Sequence, residues 1–267
     1  MKKINNILSI AGTDPSSGAG IQADLKTFSA LGTYGASVIT CIIAQNTYGI
    51  QAIYPLSGDC VTEQLNSVFN DIQIDSVKIG LLCQATTIRV VSALLENHSI
   101  PWIVLDTVMK AKSGDQLLAK DDIKILQNKL LPLASIITPN LPEAAVLLGC
   151  KLAKNEDQMC LQGRQLLNYG CKAVLMKGGH LISIDSPDWL VTSEQEVRFT
   201  SPRVQTKNTH GTGCTFSAAI AALRPRYDNW KQTIEVAKNW LQKAILHADK
   251  LHVGQGKGPI HHFYKWW

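Results

Sequence analysis

Residues 37–45 read SVITCIIAQ, nine positions in which only Ser37, Thr40 and Gln45 carry a hydroxyl or amide. A strand with one wet face alternates apolar and polar residues. A run this uniformly apolar and β-branched predicts a strand covered on both faces, as in the middle of a parallel sheet. Working outward, NILSIAG (6–12), VKIGLL (77–82), WIVLD (102–106), SIIT (135–138) and AVLMK (173–177) are of the same type. Helical patterns separate them. GIQADLKTFSALG (20–32) sets Ile21, Leu25, Phe28 and Leu31 on one face. Further helices are predicted around 61–70, 85–97, 121–130, 142–149 and 157–169, then 214–223 and a long amphipathic one near 229–250. Strand–helix alternation of this kind argues for an α/β fold with a mostly parallel, doubly wound sheet. Residues 181–204, LISIDSPDWLVTSEQEVRFTSPRV, break the rhythm and read as an antiparallel strand pair or a flap. No repeat or linker interrupts the chain, so residues 1–267 are expected to form one domain.

Composition narrows the function classes. Hydrophobic residues make up 45% and charged residues 18%, enough apolar surface for a large core. The net charge is +5, and the 26 basic residues form no run that would track a phosphate backbone, which argues against a nucleic-acid partner. The opening MKKINNILSIAGTDP has lysines before an apolar patch, but that patch ends at Asp14-Pro15 and is too short for a secretory signal. No apolar run has membrane-spanning length, so no membrane partner is expected. Seven scattered cysteines without a C-x-x-C pair suit a reduced cytoplasmic protein, and disfavour a zinc site or a disulfide framework.

In an open parallel sheet, ligands bind outside the carboxyl ends of the strands. Thr13 and Asp14, Gln45 and Asn46, Asp106, Asn140 with Glu143, and Lys177 all follow predicted strands. Each has a plain alternative. Asn140 and Glu143 make a capping box, Lys177 a solvated strand end, and Asp106 a turn residue. Their coincidence at five strand ends favours convergence on one site. The stretch NTHGTGCTFSAAIAA (208–222) adds Gly211 and Gly213 before a helix, where free N–H groups and a partial positive charge make an anion hole. The P-loop pattern is absent. Gly18-Ala-Gly20-Ile-Gln-Ala23 imitates a dinucleotide fingerprint, but the following strand ends in Gln45 and not in an acidic ribose ligand, so it reads as a loop over a small substrate. Cys214 opens the helix, and a helix N-terminus lowers a thiol's pKa, so a thiolate is expected near neutrality. Its alternative is a small residue tucked against the sheet.

IAGTDPSSGAGIQADLKTFSALGTYG, SVITCIIAQNT, TPNLPEAAVLLG, VLMKGGH and KNTHGTGCTFSAAIAAL together resemble the bacterial hydroxymethylpyrimidine/phosphomethylpyrimidine kinases of thiamine biosynthesis, in the ribokinase-like superfamily. The resemblance runs from residue 4 to the terminal GPIHHFYKWW. Some members carry a fused thiamine-phosphate synthase, for which 267 residues leave no room. The resemblance implies a three-layer α/β/α sandwich, ATP as phosphoryl donor, Mg²⁺, an aminopyrimidine substrate and a homodimer. It also implies that Gln45 and Asp24 hold the pyrimidine, with Gly12 against the ring and Leu81 in its pocket. Asn140 and Glu143 match an N-x-x-E element that orders magnesium and phosphate water. Lys177 matches a lysine at the transferring phosphates, and Asp106 a carboxylate near the metal. Thr209, Gly211, Thr212 and Gly213 match nucleotide and anion-hole contacts, and Cys214 is expected to accept the substrate's hydroxyl proton. Two residues depart from the family pattern: Ser17 stands for a loop glycine, and Leu81 for methionine. Histidines 247, 252, 261 and 262 have no ligand spacing and read as structural or surface residues. The competing readings are a pyridoxal kinase of the same fold, a dinucleotide-dependent oxidoreductase and a non-catalytic ligand-binding regulator.

Overall fold

Period-two alternation sorts the strand residues onto two faces of one sheet. Leu8 and Ile10 pack into one buried cluster, with Val77, Ile79, Ile103, Leu105, Val174 and Met176. Ile7, Val104, Ile136 and Leu175, from the intervening positions, pack into the other. A computed structural model describes residues 3–109 and 118–267. Its order begins β1 (Asn6–Ala11), α1 (Gly20–Ala30), β2 (Tyr34–Ile39), β3 (Cys41–Asn46), β4 (Gly49–Pro55) and α2 (Gly58–Phe69). β5 (Ser76–Ile79), α3 (Ala85–Glu96), β6 (Ile103–Leu105), α4 (Lys120–Ile125), β7 (Ile136–Ile137), α5 (Leu141–Leu148) and α6 (Glu156–Leu167) follow. β8 (Val174–Lys177), β9 (Asp188–Val191), β10 (Glu196–Phe199), α7 (Thr212–Leu223) and α8 (Trp230–Leu246) complete it.

The eight-stranded sheet runs β10-β9-β8-β7-β6-β5-β1-β2. Within it β2, β1, β5, β6, β7 and β8 pair in parallel, while β9 and β10 add antiparallel at one edge. Helices α2, α3, α5 and α6 cover one face, through Leu65, Val91, Leu147 and Leu166. Helices α1, α7 and α8 cover the other, through Phe28, Ile220 and Trp240. The result is the expected three-layer α/β/α sandwich. Residues 181–204 supply the expected antiparallel pair, but as β9 and β10 it extends the main sheet and is not a separate flap.

The reading of 37–45 as one doubly buried strand is corrected. The chain leaves the main sheet at Thr40, and β3 pairs antiparallel with β4 in a second, two-stranded sheet. Along β3, buried Cys41 and Ile43 alternate with exposed Ile42 and Ala44, the pattern of a half-wet ribbon. Thr40 turns the corner by hydrogen bonding: its N–H donates to the Ala11 carbonyl and its hydroxyl to the Leu81 carbonyl at 2.6 Å. The main sheet, meanwhile, reverses its build direction between β1 and β5, which is where an open α/β sheet presents its crevice.

Candidate active site

A cavity of about 870 Å³ opens over the carboxyl ends of β1, β5, β6 and β8, roofed on one side by the β3–β4 ribbon. At one end it is lined by Gly12, Ile43, Gln45, Leu81 and Val108, largely apolar with one amide. Elsewhere it is lined by Asn140, Glu143, Lys177, Thr209 and the N-terminus of α7, including Gly211, Thr212, Gly213 and Cys214. Asp106 lines it as well. Local chemistry explains these placements. Asn140 caps α5, accepting from the Glu143 N–H, while the Glu143 carboxylate accepts from the Asn140 N–H: a complete capping box. An isolated bridge ties Asn140 to Lys177 at the end of β8. Gly211 caps α7 in the left-handed region at φ 72, and a side chain there would overlap the Gly18 carbonyl. The 208–213 loop thereby lies directly on the loop after β1.

Charges concentrate beneath this floor. Lys177 Nζ donates to Asp106 Oδ1 at 2.8 Å, and Asp106 also accepts from Thr138 and Ser217. Burial works against Asp106's charge, but Lys177 and Lys78 hold its carboxyl below the usual range. Burial likewise opposes the charge on Lys177, and Asp106 with Glu143 raises it again. Burial pushes Glu143 up to about 7, only partly offset by Lys177. Burial also pushes the Cys214 thiol up to about 11, against the pull of Lys78. This runs against the expected thiolate near neutrality: loss of solvation outweighs the helix terminus. On the other wall, Asp14 accepts from the Ser16 and Ala19 N–H groups and from His210 Nε2 at 2.8 Å. Burial works against its charge, yet the His210 and Ser16 hydrogen bonds hold it below its usual range.

A family model, Phosphomethylpyrimidine kinase, matches residues 14–261. The chain belongs to the phosphomethylpyrimidine kinase family. It is 59% identical over all 267 residues to a hydroxymethylpyrimidine/phosphomethylpyrimidine kinase of Escherichia coli, covering 100% of both chains. Among solved structures, it is similar to the phosphomethylpyrimidine kinase of Clostridium difficile 630, with TM-score 0.81 and 41% identity over 91% of this chain and all of that one. It is also similar to an ADP complex of Bacillus subtilis pyridoxal kinase, with TM-score 0.90 and 33% identity over 97% of this chain and 98% of that one.

For a member of the phosphomethylpyrimidine kinase family, the cavity departs from the expected site residues in four places. Asp24 does not line it. It lies wholly buried on the sheet-facing side of α1, accepting from Ser9 Oγ at 2.6 Å and Lys78 Nζ at 2.8 Å. Lys78, which the motif reading passed over as part of an apolar strand, does line it. Burial opposes the Lys78 charge, and Asp24 more than restores it. Gln45 reaches the cavity from the ribbon and not from the end of a central strand. His210 was also missed, although it stands inside the quoted glycine motif. Its Nε2 contacts both Asp14 Oδ2 and the Gln45 amide nitrogen, the latter at 2.9 Å. A carboxylate only accepts, so Nε2 carries the proton, and the contact is satisfied with the Gln45 amide turned oxygen-first toward the ring. Of the C-terminal histidines, His262 is buried against the Thr215 hydroxyl and His247 stacks on Tyr264. No group of three or more metal-ligating side chains occurs among the described residues, and no helix among them is long and apolar enough to cross a membrane.

Proposed function

We propose that the protein phosphorylates 4-amino-5-hydroxymethyl-2-methylpyrimidine with ATP, first to the monophosphate and then to the diphosphate. The observation that carries this is the cavity's two chemistries in one space: an apolar slot with an amide, open to a glycine-loop helix N-terminus beside a buried lysine. A flat aminopyrimidine fits the slot. Gly12 lines the slot and lets the backbone pack on β3, since a side chain there would meet Cys41 Sγ. Gln45 offers its NH₂ to a ring nitrogen, and its oxygen has a second lone pair for the ring's amino group. The ATP phosphates are assigned to Asn140, Lys177, Thr209 and the Gly211–Gly213 N–H groups. Phosphoryl transfer asks for positioning and charge neutralisation, and these groups provide both.

Asp106 and Glu143 are two hard oxygen donors within a cationic surround. That set cannot cage an ion alone, but it fits Mg²⁺ held by one or two carboxylates, waters and substrate phosphates. When bound, the ion neutralises charge on the transferring phosphates. Glu143, pushed up to about 7 by burial, is partly ionised near neutrality, and a cation held there would favour its charged form. Cys214 is assigned as acceptor of the hydroxymethyl proton, with Lys78 stabilising the thiolate. On the same reading the enzyme works in the cytoplasm as a homodimer; all seven cysteines are unpaired, which suits a reducing compartment.

The test is purified protein with ATP, Mg²⁺ and either hydroxymethylpyrimidine or pyridoxal, products separated by mass. The expected outcome is pyrimidine monophosphate followed by diphosphate, with both ATP and Mg²⁺ required. Phosphorylation of pyridoxal alone, or no turnover with the pyrimidine, refutes the reading.

A further inference from the structure

Two thiols meet at the root of the β3–β4 ribbon. Cys41 is the first residue of β3 and wholly buried; Cys83 lies half-buried in the loop after β5. Their sulfurs are 2.7 Å apart, closer than two unbonded sulfurs normally settle. Moving together by about 0.7 Å would bring them to the ~2.05 Å of a disulfide. Cys83 holds φ at 65, a left-handed conformation uncommon for a residue with a side chain. The backbone around the pair is tied down on both sides. The Thr13 N–H donates to the Cys41 carbonyl, the Thr40 hydroxyl to the Leu81 carbonyl, and Gln84 Nε2 to the Leu56 carbonyl just past β4.

The pair also sits behind the apolar slot. Cys41 packs with Ile43 and Leu81, and Cys83 packs against that cluster. Both Ile43 and Leu81 face the cavity. The other cysteines offer no such geometry. Cys160 and Cys171 are buried, with thiols raised to about 11 and about 12 by loss of solvation, and neither has a cysteine partner among the sulfur contacts.

We infer that Cys41 and Cys83 are a reversible oxidation site, whose disulfide pins the ribbon to the β5 loop and slows turnover in the adjoining slot. Placing the slot at the substrate rests on the function proposed above. With a peroxide as oxidant, the steps balance. The hydrogen bond between the sulfurs lets the pair share one proton once the other has gone to solvent. The Cys41 thiolate, held below the usual thiol range by the Cys83 S–H that donates to it, attacks the peroxide O–O bond, giving a sulfenic acid and hydroxide, which takes up the lost proton as water. The Cys83 sulfur then attacks the Cys41 sulfenic sulfur; the S–O bond breaks, and the departing hydroxide leaves as water with the shared proton. Two thiols and one peroxide yield one disulfide and two waters. A dithiol reductant returns both hydrogens, so the bond is compatible with a compartment in which permanent disulfides are rare.

The experiment treats the whole enzyme with hydrogen peroxide, blocks the remaining thiols by alkylation, and maps peptides by mass spectrometry with and without dithiothreitol. The expected result is a peptide pair joined through Cys41 and Cys83 that separates on reduction. The melting temperature should rise on oxidation, and kcat should fall on the order of fivefold or more, the lower end of ordinary coupling between sites, then recover with reductant. In Cys83→Ala the joined peptide and the reversible part of the kcat loss should both disappear; a loss persisting there reports Cys214 instead. Alkylation of Cys41 and Cys83 as free thiols after peroxide overturns the inference, as does a joined pair with unchanged melting temperature and kcat. Peptide map and melt need no substrate, so they stand apart from failure of the pyrimidine assignment.

Discussion

Cys214 carries opposing demands in a single side chain. A base at this position must be deprotonated to act, yet burial raises its thiol to about 11. With the folded pKa above neutrality, the thiolate fraction grows with pH throughout the range below 11. The first phosphorylation should therefore quicken as pH rises from 7 to 9 in the wild type and lose that dependence in Cys214→Ala. A general base contributes ~10²–10⁴-fold, so the variant's first step should slow by that order. The second step has an ionised phosphate as acceptor and should suffer less. If neither step slows tenfold, the thiol only packs. Gln45 presents a different case, because its amide is held by His210 from one side and free to recognise a ring from the other. Gln45→Leu keeps the bulk and should weaken pyrimidine binding by roughly 1–3 kcal/mol, since the ring's polar edge then goes unsatisfied. An unchanged dissociation constant by calorimetry would move the slot elsewhere.

Among the elements, the start of α7 depends on a glycine for two separate reasons. Gly211 lies in the left-handed region, and a methyl group there would run into the Gly18 carbonyl. Gly211→Ala must relieve both by pulling the 208–213 loop off the loop after β1, which separates His210 from Asp14 and tilts the anion hole. Left-handed strain alone costs ~1–2 kcal/mol, and loss of aligned anion donors costs ~10²–10³-fold in rate. A denaturant melt and kcat should both report the change; wild-type values for both would show that the two loops do not depend on one another. The ribbon teaches a related lesson. Valine, isoleucine, threonine and cysteine favour strands equally on either side of Thr40, so local preference could not show where the main sheet ended. That boundary depends on the Ala11 and Leu81 carbonyls that Thr40 bonds, far away in the chain.

Across the whole molecule, the buried Lys78–Asp24 pair joins α1, β5 and the cavity floor. Neither side chain is solvent-exposed, and Asp24 Oδ1 has no hydrogen-bond partner. Lys78→Met leaves an unpaired buried carboxylate and should destabilise the fold by about 3–5 kcal/mol; adding Asp24→Leu should restore much of that. Activity should not return with stability in the double variant, because the buried cation beside Asp106 and Cys214 is gone. Recovery of full activity would make the pair purely structural.

The alternation of apolar strands with amphipathic helices was legible along the chain, since that period is a property of neighbouring residues, and it determined an α/β sandwich. The capping box of Asn140 and Glu143 and the glycines before α7 were legible for the same reason: their partners lie within a few positions. The contacts that decide the site are not local. Lys78 meets Asp24 across 54 positions, Cys83 meets Cys41 across 42, and His210 meets Asp14 across 196. In sequence, Lys78 is one cation in an apolar strand, Asp24 one carboxylate on a helix, and His210 a loop residue. Only the crossovers of the parallel sheet bring each to its partner, and only burial there makes the partner necessary, because a charge removed from water must be neutralised where it lies.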